Sequence, residues 1–144
     1  MSQQARDVLV AKLVFQDDTQ ASDLQNIGLT QTQLIALLTE LTGKGWNIEI
    51  TSVRTDHSDD SALGLHCHAN GYCADLWPLA SSDAGDYLDA GDPRFQQFLT
   101  DAAASPWLYQ IGLAGSAWTT ANANAAGPTV FQDDGADHVH LGSH

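Results

Sequence analysis

Histidines gather in two stretches of this chain: His57, His66 and His68 in one, His138 and His140 in the other. Imidazole and carboxylate groups are the usual ligands of zinc, and a catalytic zinc site uses about three of them and leaves one position for water. The pattern needs ligands from one segment and a further ligand from another. His68 and Asp75 lie in the first stretch with Gly71 between them. His138 and His140 are two apart in a segment that reads as a strand, so they face the same side of a sheet. Such a cluster in a compact acidic chain points to a metal site. The plainer alternatives are a solvated His-rich loop, or hydrogen-bonded core histidines at 138 and 140. His57 and His66 read as exposed loop residues rather than ligands. Cys67 and Cys73 either pair as a disulfide or stay as buried thiols, and two cysteines alone do not make a zinc site.

The residues from His68 to Asp75, His-Ala-Asn-Gly-Tyr-Cys-Ala-Asp, resemble the His-x-x-Gly-x-Ala-x-Asp motif of the zinc D-Ala-D-Ala carboxypeptidases. The same motif occurs in phage L-Ala-D-Glu endolysins and in the Hedgehog signalling domain. Cys73 stands where the family has a small Ala, a mild departure. Those families end in a strand carrying the last zinc ligand as a His. In the peptidases an acid precedes it by three residues, as Asp137 precedes His140 here. The Hedgehog variant has an acid six residues before the ligand and a His two before it, positions held here by Asp134 and His138. An Arg upstream of the first ligand binds or polarises the substrate in the peptidases, and Arg54 is the candidate. The similarity spans roughly residues 46–141, and only the two ligand segments are specific.

The resemblance implies a Zn2+ ion held by His68, Asp75 and His140. Zinc at such a site acidifies a water and polarises the scissile carbonyl. Asp137, or else Asp134, would act as general base. His138 would bond the oxyanion or orient the base, and Arg54 would stabilise developing charge. The implied function is a zinc metallopeptidase hydrolysing peptidoglycan stem peptides, of D-Ala-D-Ala carboxypeptidase or L-Ala-D-Glu endopeptidase type, and possible phage encoding goes with it. The alternative is a non-catalytic, zinc-stabilised virion or assembly module on the same fold, since fold does not settle function. The partners expected are cell-wall peptide and a virion or wall-targeting protein.

The elements that must position these residues read as follows. Residues 7–15 suit a strand and 16–28 a polar loop. Thr30 to Gln33 fits a capping box, followed by Leu34, Ile35, Leu37, Leu38 and Leu41 at helical spacing, with Gly43 as the stop. Residues 46–54 read as a strand, 55–66 as a loop, and 72–77 as a short strand ended by Pro78. Asp92-Pro93 opens a second helix through Phe95, Phe98, Leu99 and Ala102. Residues 107–113 form a strand, and 114–129 a long loop or lid. Val130-Phe131 and residues 137–141 make a last strand with its approach. Trp77 beside the site and Trp118 in the lid are candidates to line a groove. The expectation is one α+β domain over 1–144, with helices on one side of a small, largely antiparallel, Hedgehog/D-Ala-D-Ala-peptidase-like sheet.

The chain has 144 residues and a formal net charge of -13. A surface of that sign repels polyanions, which argues against nucleic acid, and it disfavours an anionic membrane. Val8 to Phe15 is too short and too interrupted, by Lys12, for a signal core. The expectation is synthesis in the cytoplasm without a signal peptide, then virion association or release to the cell wall. The Asp-rich loops do not form an EF-hand pattern, and a mixed His/Asp set suits zinc better than calcium.

Overall fold

The computed structural model describes residues 2–57, 67–114, 129–133 and 138–143. Alternation along the strands organises the molecule. β2 (Asn47–Ser52) pairs antiparallel with β3 (Cys73–Leu79), β3 with β6 (Val139–Ser143), and β6 with β4 (Leu108–Ala114). Two parallel pairings flank this centre, β1 (Val14–Phe15) on β2 and β5 (Thr129–Asp133) on β4. The order is β1-β2-β3-β6-β4-β5. The sheet is therefore mixed, and the expectation of a largely antiparallel one holds only for its four central strands.

Register separates two chemistries. Ala74 faces Leu141 and Leu76 faces Val139 across β3 and β6, and Ile111 and Leu113 continue the row on β4. These side chains are buried in one core with Leu34, Ile35, Leu37, Leu38 and Leu41 of α3 (Thr32–Gly43) and with Phe95, Phe98, Leu99 and Ala102 of α4 (Pro93–Ala103). The intervening residues Cys73, Asp75, His140, Gly142 and Gln110 fall on the opposite face by the two-residue period. Both helices lie where their spacing places them. Asp92 accepts from the Arg94 N–H ahead of Pro93, as expected of a cap.

Several elements differ from the sequence expectation. Residues 7–12 are not strand: α1 runs over Gln3–Lys12, capped by Ser2, and buries Arg6 and Leu9 at helical spacing. Residues 16–28 are not all loop: α2 spans Asp18–Gln25, with a capping box between Asp17 and Gln20. Its inner face is Gln20, Asp23 and Leu24, so no apolar stripe announces it. The capping box at the start of α3 does not form, and Gln31 is the cap without a side-chain bond. The Thr30 hydroxyl is engaged instead with Arg6 and the Asp23 carbonyl. Pro78 does not end β3. Its carbonyl accepts from Leu88, away from β2, so the absent N–H costs no bond of the β2 ladder. Residues 129–133 and 139–143 are two strands on either side of β4 rather than one strand with its approach. Among the described residues, no helix is long and apolar enough to cross a membrane.

Candidate metal centre

Asp75 and His140 are directly paired across β3 and β6, which sets their side chains next to each other on the polar face. His68 reaches them from a tight turn. Cys67, its neighbour, is disulfide-bonded to Cys73 at the start of β3, resolving the alternatives for these two residues. Within that closed loop the Gly71 N–H donates to the His68 carbonyl, and Gly71 has φ +78°. The result is a small triangle of donor atoms. His68 Nε2 lies 3.1 Å from His140 Nδ1 and 3.3 Å from Asp75 Oδ1, and the last two are 3.2 Å apart. All three residues are about 3% exposed.

Tautomer logic sharpens the arrangement. His68 Nδ1 lies 2.5 Å from the Val53 carbonyl, which only accepts, so Nδ1 carries the proton. In the neutral ring Nε2 then presents a lone pair towards a carboxylate oxygen and a second imidazole nitrogen. That convergence is satisfied in either of two ways: by the Nδ1–H of a neutral His140, the tautomer that the Gln110 amide nitrogen beside His140 Nε2 favours, or by a metal ion in its place. A ring nitrogen held to a backbone carbonyl on its far side is also the usual bracing of a metal-bound histidine. These side chains thus have the donor types and spacing of a metal site.

His57 was expected to be exposed, and the structure places it at this site. Its ring stacks on His68 with centroids 3.6 Å apart and planes 7° from parallel. A metal ion lies in the plane of an imidazole that binds it, so two stacked rings cannot share one ion. His57 instead bonds the other carboxylate oxygen, with Nε2 3.1 Å from Asp75 Oδ2. His138 Nε2 approaches the same oxygen at 3.7 Å. Burial tends to raise the pKa of Asp75, but hydrogen bonds from His140 and His57, and one from the His68 ring in its protonated form, outweigh it and hold the carboxyl well below its usual value.

Sequence reasoning missed two supports. Gln110 is buried on β4, with Nε2 3.2 Å from His140 Nε2 and 3.2 Å from Cys67 Sγ. It has room because position 142 is glycine: a Cβ there would sit 2.5 Å from Gln110 Cγ. Asp23, also buried, accepts from the backbone N–H groups of Arg54 and Thr55 and from the Thr55 hydroxyl. It thereby fixes the turn that leads to His57. An isolated Gln or Asp carries no sequence signal for such roles.

Arg54 is not brought to the cluster by its bonds. Its Nη1 donates to the Leu29 carbonyl at 2.9 Å and, at 3.4 Å, to that of Gly28. Asp134, Asp137, His66 and Trp118 lie outside the described residues, as does most of the 114–129 loop. Beside the cluster opens a cleft of about 540 Å³, lined by Gln16, Thr51, Ser52, Trp77, Tyr87 and His138, with Asp75 in its wall. Trp77 lines this cleft and at the same time packs against the core, with its ring 4.9 Å from that of Phe95.

Asp75→Asn in metal-free protein is expected to cost about 1.5–3 kcal/mol at neutral pH, the range for hydrogen bonds to a charged group. The folded pKa is depressed, so the carboxylate stabilises the fold above the unfolded value of about 3.9 and loses that contribution as pH falls through the folded value. Denaturant midpoints of wild type and variant should therefore converge only at strongly acidic pH. A gap that closes already near pH 6 would contradict this.

No protein-family model matches the chain, and no curated protein is significantly similar to it.

Proposed function

We propose that this chain is a zinc-dependent peptidase acting on peptidoglycan stem peptides, on a site of the Hedgehog/D-Ala-D-Ala-peptidase type. The observation that carries the reading is the triangle of His68 Nε2, Asp75 Oδ1 and His140 Nδ1, with edges of 3.1–3.3 Å. Ligands about 2.0–2.2 Å from a tetrahedral zinc stand roughly 3.3–3.5 Å from one another, so the residues fit the ion with little movement. Two imidazoles and one carboxylate are also the ligand set of several hydrolytic zinc sites.

Bound there, zinc would supply Lewis acidity to a scissile carbonyl and to a water. The chain's own residues do the rest. His57 holds the outer oxygen of Asp75 and so leaves Oδ1 directed at the other two ligands. Gln110 lies against the far nitrogen of His140; with Nδ1 on the metal that nitrogen carries the proton, so Gln110 would fix the ring by turning its amide oxygen to it. His138, at the cleft wall, is placed to bond a substrate oxygen. Asp137 or Asp134 remains the proposed proton acceptor on the strength of the resemblance. Arg54 is held through Nη1 by the Leu29 carbonyl, which leaves its Nη2 and Nε groups for the charge-stabilising role that the resemblance implies.

The net charge of -13 favours a second reading, a zinc-stabilised virion or assembly module without hydrolysis, because such a surface does not adhere to an anionic wall. The test is metal content by mass spectrometry beside hydrolysis of cell-wall peptides, for wild type, His68→Ala and His140→Ala. One zinc per chain and cleavage, both lost in the two variants, is the expected result. Zinc with chelator-sensitive melting and no cleavage would select the module. No zinc after addition to folded protein would end both readings.

A further inference from the structure

The triangle with His68 and Asp75 uses one nitrogen of His140, its Nδ1. The other nitrogen of the ring faces a second set of donors. His140 Nε2 lies 3.4 Å from Cys67 Sγ, and Cys73 Sγ completes a group whose donor atoms all fall within 4.8 Å of one another. The Gln110 amide nitrogen marks the point on which the three converge. It stands 3.2 Å from His140 Nε2, 3.2 Å from Cys67 Sγ and 3.8 Å from Cys73 Sγ, so an electropositive group already occupies that point. Gly142 keeps the space open, because a Cβ there would stand 3.0 Å from Cys73 Sγ as well as 2.5 Å from Gln110 Cγ. In the oxidised chain the two sulfurs are bonded to each other.

We propose that reduction of the Cys67–Cys73 disulfide opens a second metal site, in which Cys67 Sγ, Cys73 Sγ and His140 Nε2 bind a thiophilic cation such as Zn2+ or Cd2+. Two thiolates and one imidazole are an established zinc ligand set, and sulfur selects softer ions than the His/Asp triangle does. Tetrahedral zinc holds its nitrogen and sulfur ligands roughly 3.5 Å apart, close to the 3.4 Å found between His140 Nε2 and Cys67 Sγ. Once cut, the sulfurs part by side-chain rotation on Cα atoms 5.3 Å apart, and the Gln110 amide gives way to the ion. The reductant is a dithiol. Its thiolate attacks Cys67 Sγ, which is part-exposed where Cys73 is buried, and Cys73 leaves and takes up a proton. The second thiol of the reductant then displaces Cys67 and closes the reductant's own disulfide, so two electrons and two protons pass to the protein. Cation binding releases the thiol protons to solvent. A neutral imidazole offers one lone pair, so a metal on Nε2 puts the ring proton on Nδ1, towards His68 and Asp75. The thiol state thus decides on which side of His140 a cation is held. The site does not depend on the peptidase reading.

The experiment uses metal-free full-length protein, reduced with a dithiol and desalted without oxygen, beside the oxidised form. The probe is Co2+, whose bonds to thiolates give a charge-transfer band in the near ultraviolet. Reduced wild type should show the band and the oxidised protein none. Cys67→Ser, Cys73→Ser and His140→Ala should each weaken Co2+ binding by the reduced chain at least about tenfold. His140 is the deciding residue, because it is distant in the chain and reports the folded site rather than a pair of neighbouring thiols. X-ray absorption of the wild-type cobalt complex, which needs no variant to fold, should show sulfur and imidazole neighbours together. The inference is overturned by a reduced protein without the band, folded or not. It is overturned equally by Co2+ affinity unchanged in His140→Ala, or by sulfur neighbours without an imidazole.

Discussion

Gly71→Ala will destabilise the fold by about 2–6 kcal/mol and, on the zinc reading proposed above, sharply weaken metal retention. Two costs combine. The residue has φ +78°, where a side chain is strained by about 1–3 kcal/mol. A Cβ there would also stand 2.3 Å from the Leu29 carbonyl oxygen and 2.9 Å from Thr30 Cα. Both are backbone atoms of the segment entering α3, so relief requires moving the turn, and overpacking of this kind costs about 1–3 kcal/mol. The turn carries His68 three residues earlier and is tied to α3 by the Gln31 N–H bond to the Gly71 carbonyl. Displacing it pulls His68 away from Asp75 and His140. Gly45→Ala is the control, since Gly45 has φ +95° but open space around the missing Cβ. Thermal melts should show Gly45→Ala losing only the strain and keeping its metal. Equal losses for both would mean that the contact with Leu29 and Thr30 is unimportant.

Arg6→Met carries the second large effect, about 2–4 kcal/mol, or a fall in Tm of roughly 6–12 °C for a chain of this size. The guanidinium is 1% exposed and donates to the Leu24 carbonyl at 2.8 Å, the Thr30 hydroxyl at 2.6 Å and the Thr30 carbonyl at 2.7 Å. Its Nε has no partner among the described residues. Burial lowers the Arg6 pKa, and the negative end of α2 offsets part of that burial. Methionine fills similar volume but leaves the buried Thr30 carbonyl without a donor and the Leu24 carbonyl with only the distant Thr30 hydroxyl at 3.5 Å. Arg6→Lys should lose less than Arg6→Met, because one ammonium cannot span both carbonyls yet still satisfies one. If Arg6→Met melts like wild type, the guanidinium is dispensable and the coupling below fails.

The two substitutions act on one segment from opposite sides. Leu29 and Thr30 back the Gly71 turn, and Arg6 holds Thr30, whose hydroxyl bonds the Asp23 carbonyl. Asp23 in turn fixes the turn before His57. Arg6→Met is therefore expected to weaken the proposed zinc binding as a secondary effect, although Arg6 touches none of the His/Asp cluster.

Much of the centre was legible in the sequence because it depends on local rules. His140 and Asp75 sit on strands whose apolar residues alternate, so the face they share follows from period two. α3 and α4 follow from apolar spacing and, for α4, from its cap. Gly71 was visible as part of a motif, and its backbone conformation supplies the reason. The sequence did not reveal α1 and α2, because their buried faces rest on Arg6, Gln20 and Asp23, polar groups whose burial depends on partners distant in the chain. His57 looked like one more polar loop residue until the fold stacked it on His68. Whether Arg54 meets a substrate was likewise undecidable from its position on a strand end, since its direction is set by the carbonyls of Gly28 and Leu29. The sequence alone determined the types and order of the donor atoms, through motif spacing and strand period. Tertiary structure decided which of them converge, because long-range register and buried hydrogen bonds, rather than residue type, fix where a side chain points.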